Sequence, residues 1–338
     1  MILPPNATVH QEALSRLDAL AKPLGALGRL EELGAFIAAC QGECPPRPLD
    51  RVRAVLLAGD HGAVANGVAS YPKEVTVAMV HALLAGVAGM SVLAAQHGVG
   101  VRVLDIAVDA DLDVPAEVTA HKLGKSCGSI DREDALSLDA CSQALATGAA
   151  IAAEEVEAGA QLLIVGDLGI GNTTPAAALI ASQLGLPAAQ VTGRGAGLSD
   201  EGLATKTAFV QRALDRTAGI SDPTQRLAAL GSADLAVGAG IYIEAARRGV
   251  PVLLDGVISV AEALLAEAIA PGAKAWMIAG HRSVEPAQGY ALESLGLEPL
   301  LDLRMRLGEG SGAMTALPLV RSGVAIIRDM ALLADLVG

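Results

Sequence analysis

From Pro45 onward the chain alternates short runs that are apolar or β-branched at nearly every position with longer Ala-rich stretches of helical character. The short runs Ala54–Ala58, Val101–Ile106, Leu162–Val165, Val252–Leu254 and Trp276–Ala279 predict strands covered on both faces, which lose the polar half of their alternation. Between them Val75–Ala95, Ala135–Ala152, Pro175–Leu184, Gly202–Thr217, Leu235–Ala246 and Val260–Ala268 predict helices. Strands spaced by helices connect through right-handed crossovers, so the expected fold class is α/β, with a doubly wound, mostly parallel sheet. The first 45 residues read as helix instead: Gln11–Leu20, a break at Lys22-Pro23-Leu24-Gly25, then Leu27–Ala39. Apolar helical segments over Ala313–Ala334 close the chain. Residues 1–45 and 313–338 are expected to form a small helical second domain beside a doubly wound domain over 46–312.

Composition narrows the function classes. Apolar residues make up 52% of 338 and charged ones 18%, yet no uninterrupted apolar run approaches the ~18 residues that span a bilayer. With no basic segment leading into an apolar one at the start, the expectation is a cytoplasmic protein without a membrane. A net charge of −13 argues against a nucleic-acid partner but leaves room for an anionic small molecule held by backbone N–H groups and one or two cations. Cys40, Cys44, Cys127 and Cys141 form no CxxC pair and read as reduced thiols.

In a doubly wound sheet the ligand lies outside the carboxyl ends of the strands. Four polar or glycine-rich loops leave the predicted strands there: Gly59–Gly62, Gly166–Thr174, Asp255–Ser259 and Gly280–Glu285. In the second, Gly169 and Gly171 free the backbone to curl its N–H groups towards one point, Thr174 is placed to cap the next helix and Pro175 suits its first turn. This makes a phosphate site that is neither a Walker A loop nor a Rossmann fingerprint. A tight turn without a ligand is the alternative. Gly193-Arg194-Gly195-Ala196-Gly197, with Lys206 at helical distance, suits a phosphate or carboxylate, or is a loop with two solvated cations. Asp60-His61 with His281 lacks the third His or Cys of a metal cluster, so no metal is expected. Asp105, Asp255 and Glu285 are placed to orient a hydroxyl or cap a turn. In Met305–Gly312 one carboxylate, Glu309, stands among three glycines, as in a loop that presents it or in an ordinary strand-to-helix turn. Together these groups suit proton abstraction beside a phosphorylated sugar.

The order of the motifs resembles the nicotinate-nucleotide–dimethylbenzimidazole phosphoribosyltransferase family, which makes the lower ligand of cobalamin. The matching pieces are Lys22-Pro23-Leu24-Gly25 with Leu27–Glu31, Asp60-His61-Gly62 through Tyr71–Thr76, Gly169–Thr174, Gly193-Arg194-Gly195 through Leu203, Leu254-Asp255-Gly256, and Leu300 through Gly312. The resemblance implies a homodimer without a cofactor that moves phosphoribose from nicotinate mononucleotide to 5,6-dimethylbenzimidazole or a related base, giving α-ribazole 5′-phosphate and nicotinate. It puts the catalytic base on Glu309 and a second carboxylate on Asp167, and substrate contacts on Gly169, Gly171, Asn172, Thr173, Gly195, Lys206, Ser283, Tyr71 and Leu307. The chemistry fits: the glycosidic nitrogen of the donor is a cationic pyridinium that leaves neutral, so the remaining task is to take the acceptor's ring proton. The chain departs from the family's usual pattern at Asp167 (commonly Glu), at Lys73 (frequently Gln), at Ser126–Ser129 and at Ala287-Gln288 (usually Gly-His). Those departures motivate a second reading, a non-catalytic mononucleotide- or azole-binding protein of the same fold. The fold alone suggests a third, a nicotinamide-dependent oxidoreductase.

Overall fold

A computed structural model describes residues 1–337; Gly338, the end of the expected C-terminal segment, lies outside them. Five strands form one sheet: β1 (Val52–Gly59), β2 (Gly100–Ala107), β3 (Leu162–Leu168), β4 (Val252–Leu254) and β5 (Met277–Ala279). Their order is β2-β1-β3-β4-β5, and every neighbouring pair is parallel. The order reverses between β1 and β3, the place in a doubly wound sheet where loops diverge and leave a crevice.

Alternate strand residues supply two cores. Val55, Leu57, Leu163 and Val165 point into the larger one, shared with helices Thr173–Leu184, Ala233–Arg247 and Val257–Ile269. Ala54, Leu56, Leu162 and Ile164 face the other, which contains Val80, Met90, Met314, Leu317 and Val320. Since both faces are covered, β3 is buried along its whole length, and this explains its lack of polar alternation.

Helices Ala7–Ala19 and Arg29–Gln41 gather Val9, Ala13, Leu17, Ala35 and Ala38 around Ile327 in a third cluster. Helix Ser311–Asp329 belongs to both regions. Its first turns pack on the sheet, and its last turns on the N-terminal pair.

The structure redraws several boundaries. The stretch expected as one helix over Val75–Ala95 is two, Glu74–Leu84 and Gly89–Gln96. Gly86 takes φ 76 there, and Val87 N–H returns to the carbonyl of Ala82, so the first helix closes although the sequence stays apolar. The two helices, of 11 and 8 residues, are each far shorter than the ~20 that cross a bilayer. Helices Pro223–Leu230 and Pro286–Leu295, each opened by proline, were not among those expected. The C-terminal run divides as well, with Met330 extended between Ser311–Asp329 and Leu333–Val337.

Candidate active site

Glu309 occupies the left-handed region at φ 62, between Gly308 at 79 and Gly310 at 84. A glutamate there is strained, and the strain persists because the loop is fastened on both sides. One fastening is Asp255, at the end of β4. Its Oδ1 accepts from the N–H groups of Gly312 (2.7 Å) and Ala313 (3.0 Å), its Oδ2 from Gly310 (3.1 Å), and His281 stands 3.4 Å away. The carboxylate thus satisfies the free N–H groups at the start of helix Ser311–Asp329 and holds the backbone next to Glu309. Burial pushes Asp255 up, but His281 and the backbone donors outweigh it and leave the acid below its ordinary range. The other fastening is Gly166 of β3, where a Cβ would lie 2.4 Å from the carbonyl carbon of Glu309. The Glu309 side chain is 4% exposed, and its Oε2 has no hydrogen-bond partner. Burial first, and the charge of Asp255 second, push its carboxyl up to about 7.

The loop after β3 lies opposite. Asp167 accepts a 2.7 Å bond from Asn172 Nδ2 through Oδ1, and its Oδ2 is unpartnered. Burial and then the neighbouring Asp234 and Glu262 hold Asp167 well above the usual carboxylate range. Ile170 N–H donates to Thr76 Oγ1 (3.2 Å), whose hydroxyl donates to Asp60 (2.7 Å), so the glycine loop is tied to helix Glu74–Leu84. The following helix begins at Thr173, with Asn172 as its N-cap. Thr174 does not cap it as expected, and its hydroxyl is buried without a partner.

Lys206, 1% exposed on helix Asp200–Thr217, donates to Thr173 Oγ1 at 2.7 Å. Burial pulls the ammonium down to about 8, with Glu285 acting in the opposite direction. Gly195 N–H donates to Glu285 Oε1 (2.8 Å), which brings the second glycine loop beside Thr173 and Lys206. Arg194 instead folds onto its own loop, bonding the Leu198 carbonyl and Asp200. Ser283 accepts from the N–H of Glu285 at 3.3 Å.

Two cavities meet at Glu309. The larger, about 380 Å³, is walled by Tyr71, Val75, Met79, Leu168 and Leu307 on one side and by Gly169–Thr173 and Gly195 on another. The smaller, about 70 Å³, is lined by Asn172, Thr173, Asp255, Ser283 and Glu285. Asp167, Asn172, Thr173, Arg306, Leu307 and Glu309 line both. Every residue expected at the site except Lys206 therefore lines a cavity, and Lys206 reaches it through Thr173. Arg306, which donates to the Gly195 carbonyl at 3.3 Å, was not foreseen. The clamping role of Asp255 was not foreseen either, although an acid directly after a strand had marked the position.

His61 and His281 do not converge. The first stands 3.4 Å from Asp234, the second 3.4 Å from Asp255. Apart from Asp167, whose Oδ2 is unpartnered, the departures from the family pattern find local partners. Gln288 donates to the carbonyls of Asp255 and His281 and accepts from Ser283 N–H, binding the loops after β4 and β5 together. Ser129 bridges Asn66 and Asp131, and Lys73 pairs with Asp109.

The phosphoribosyltransferase family profile matches residues 2–336. The chain belongs to this family. It is 51% identical over 335 residues to the nicotinate-nucleotide–dimethylbenzimidazole phosphoribosyltransferase of Mycolicibacterium paratuberculosis, covering 99% of this chain and 96% of that one. With the protein of the same name from Mycobacterium tuberculosis it shares 50% over 328 residues, covering 97% and 91%. The crystal structure of CobT from Thermus thermophilus superposes with a TM-score of 0.93 at 42% identity, covering 97% of this chain and 98% of that one. A second structure, named as the same phosphoribosyltransferase from that organism, gives 0.92 at 41%, covering 98% of each chain. Membership of the phosphoribosyltransferase family makes the chain a transferase, and its five-stranded parallel sheet is the family's architecture.

Proposed function

We propose that the protein transfers phosphoribose from nicotinate mononucleotide to 5,6-dimethylbenzimidazole or a related base, releasing nicotinate and α-ribazole 5′-phosphate. The observation that carries this reading is the position of Glu309, a buried carboxylate with a free oxygen and a pKa of about 7, where an apolar chamber meets a phosphate-suited loop. Such a group is half-ionised near neutrality and able to accept the acceptor's ring proton as its nitrogen attacks.

The acceptor lies between Tyr71, Val75, Met79 and Leu307. The donor phosphate meets the free N–H groups of the Gly169–Thr173 loop, beside Gly195, with the Lys206 ammonium behind Thr173. Ser283 and Asn172 contact the ribose, and Asp167 orients it. With acceptor and donor in adjoining chambers, the nitrogen attacks opposite the departing nicotinate and inverts β to α. Nicotinate leaves neutral at its ring nitrogen, so these steps call for no resident cofactor or metal.

A homodimer and a cytoplasmic setting belong to the same proposal. Leu84 at the end of helix Glu74–Leu84, Val87 in the turn after it and Val92 on helix Gly89–Gln96 are 40%, 72% and 57% exposed, an apolar face suited to a second copy. All four cysteines are unpaired, as in a reducing compartment. Full-length likeness to named transferases does not favour the binding-protein or oxidoreductase readings. Incubation with nicotinate mononucleotide and a panel of benzimidazoles, purines and phenols, with the ribotide identified by mass, tests the proposal. Dimethylbenzimidazole ribotide with equimolar nicotinate is expected; binding without nicotinate release would overturn it.

A further inference from the structure

Behind the reacting groups lies a set of buried acids that no Lys or Arg among the described residues neutralises. His61 follows β1, Asp167 sits near the end of β3, and Asp234 lies in the first turn of helix Ala233–Arg247. One ligand atom from each lies within 4.8 Å of the others, and all three residues are buried. Both Asp234 oxygens, both His61 nitrogens and Asp167 Oδ2 have no hydrogen-bond partner. Glu262, on helix Val257–Ile269 and 1% exposed, adds two more unpartnered oxygens, and its charge is felt by Asp167. Tyr242, whose hydroxyl shares a 2.7 Å hydrogen bond with Ser259, stands beside Glu262. Among the described residues no Lys or Arg pairs with Asp167, Asp234 or Glu262.

Carboxylates buried without a countercharge cost several kcal/mol each, so they take up either protons or a metal cation. The geometry favours the cation. His61 Nε2 and Asp234 Oδ2 are 3.4 Å apart, long for a hydrogen bond, whose usual range ends near ~3.2 Å. That spacing matches two ligands on a tetrahedral ion with bonds of ~2.0–2.1 Å. Small residues keep the surroundings clear: a Cβ on Gly59 would lie 2.7 Å from the Asp234 carboxyl carbon, and one on Gly169 2.9 Å from His61 Nε2.

We propose that His61, Asp167 and Asp234 bind one divalent first-row cation, with Glu262 as an additional carboxylate beside it. One imidazole with carboxylates suits Zn²⁺ or Mn²⁺ better than Mg²⁺ or Ca²⁺, which prefer all-oxygen sets. The ion would tie β1, β3 and helix Ala233–Arg247 together on the far side of Asp167 from Asn172. The site shares Asp167 with the substrate chambers, so its test reads metal binding and stability rather than turnover.

The test is a calorimetric titration of the chelator-treated full chain with ZnCl₂ and with MnCl₂, beside thermal unfolding with each. One ion per chain and a raised Tm are expected, with binding weakened about 100-fold or more in Asp234→Asn, the upper end of what loss of a supporting group costs a metal site. No binding heat and an unmoved Tm would overturn the proposal and leave protons as the neutralising agent. Undiminished binding by a folded Asp234→Asn variant would overturn it too. Should that variant fail to fold, anomalous scattering from zinc-soaked crystals of the unaltered protein decides: a peak between His61 and Asp234 supports the site, and a peak elsewhere or none refutes it.

Discussion

Replacing Glu309 with glutamine keeps the side-chain shape and the strained backbone while removing the charge, so activity and stability should move in opposite directions. The folded protein holds this carboxyl near 7, against 4.5 for an ordinary glutamate. That gap of about 2.5 pH units, at about 1.4 kcal/mol each, makes the ionised form cost the fold ~3 kcal/mol. Because the folded pKa is raised, the penalty is absent below pH 4.5, grows between 4.5 and about 7, and is constant above. Glu309→Gln carries no such penalty. It should exceed the native protein in stability by ~3 kcal/mol at pH 8 and by less than about 1 kcal/mol at pH 5. For a chain of this length the gain at pH 8 is a Tm rise of about 4 °C. Transfer should fall by about 10²–10⁴-fold, the range for a lost general base, while nicotinate mononucleotide still binds. Native kcat should decline below about pH 7, roughly tenfold per unit once Glu309 is mostly protonated. Urea unfolding at the two pH values and steady-state release of nicotinate read both effects. A stability offset that is equal at pH 5 and 8, or near-native turnover in the variant, would refute the account of Glu309.

Asp255→Asn should lower the acidic limb of the pH–rate profile, because the charge that helps raise Glu309 is gone, and should cut kcat because an amide NH₂ then faces the Gly310 N–H; an unmoved limb counts against the clamp. Lys206→Ala should weaken donor binding by about 10–100-fold, the worth of one charge-assisted bond, leaving kcat at saturation much less affected; an unchanged KM for nicotinate mononucleotide would contradict it. In Gly166→Ala the new methyl collides with the Glu309 carbonyl. The loop should shift by about 1 Å and kcat fall about 10²-fold, in a protein whose circular dichroism is native, and a fully active variant would show that the loop has slack.

The sheet was legible because both of its faces are covered. Val252–Leu254 is apolar at every position and forms a strand with those bounds, and β1–β3 differ from their predicted runs by only a few end residues. The break after Leu84 was not legible, because the apolar pattern continues through Gly86 and tertiary packing decides where the helix ends. At the site, glycines around an acid and after a strand were informative, since close approach of backbone to ligand or backbone demands them. The partner of each was not. The acceptors for the Gly195 and Gly310 N–H groups, Glu285 and Asp255, come from the loops after β5 and β4, distant in sequence. Asp234 and Glu262 carried a signal in the sequence: each is an acid set among small and apolar residues in a helix that is buried along most of its length.

Helix Ser311–Asp329 starts two residues after Glu309 and runs for 19 residues, about 28 Å. Its far end meets Arg29–Gln41 where two glycines touch, since a Cβ on Gly34 would lie 2.6 Å from the Gly323 carbonyl. The helix acts as a strut, and a methyl group added at that crossing would lever the other end, where the reacting carboxylate sits. Turnover is thereby exposed to substitutions that touch no substrate. Drift in the N-terminal helix pair should surface first as altered rates in a well-folded protein, and only later as loss of the fold.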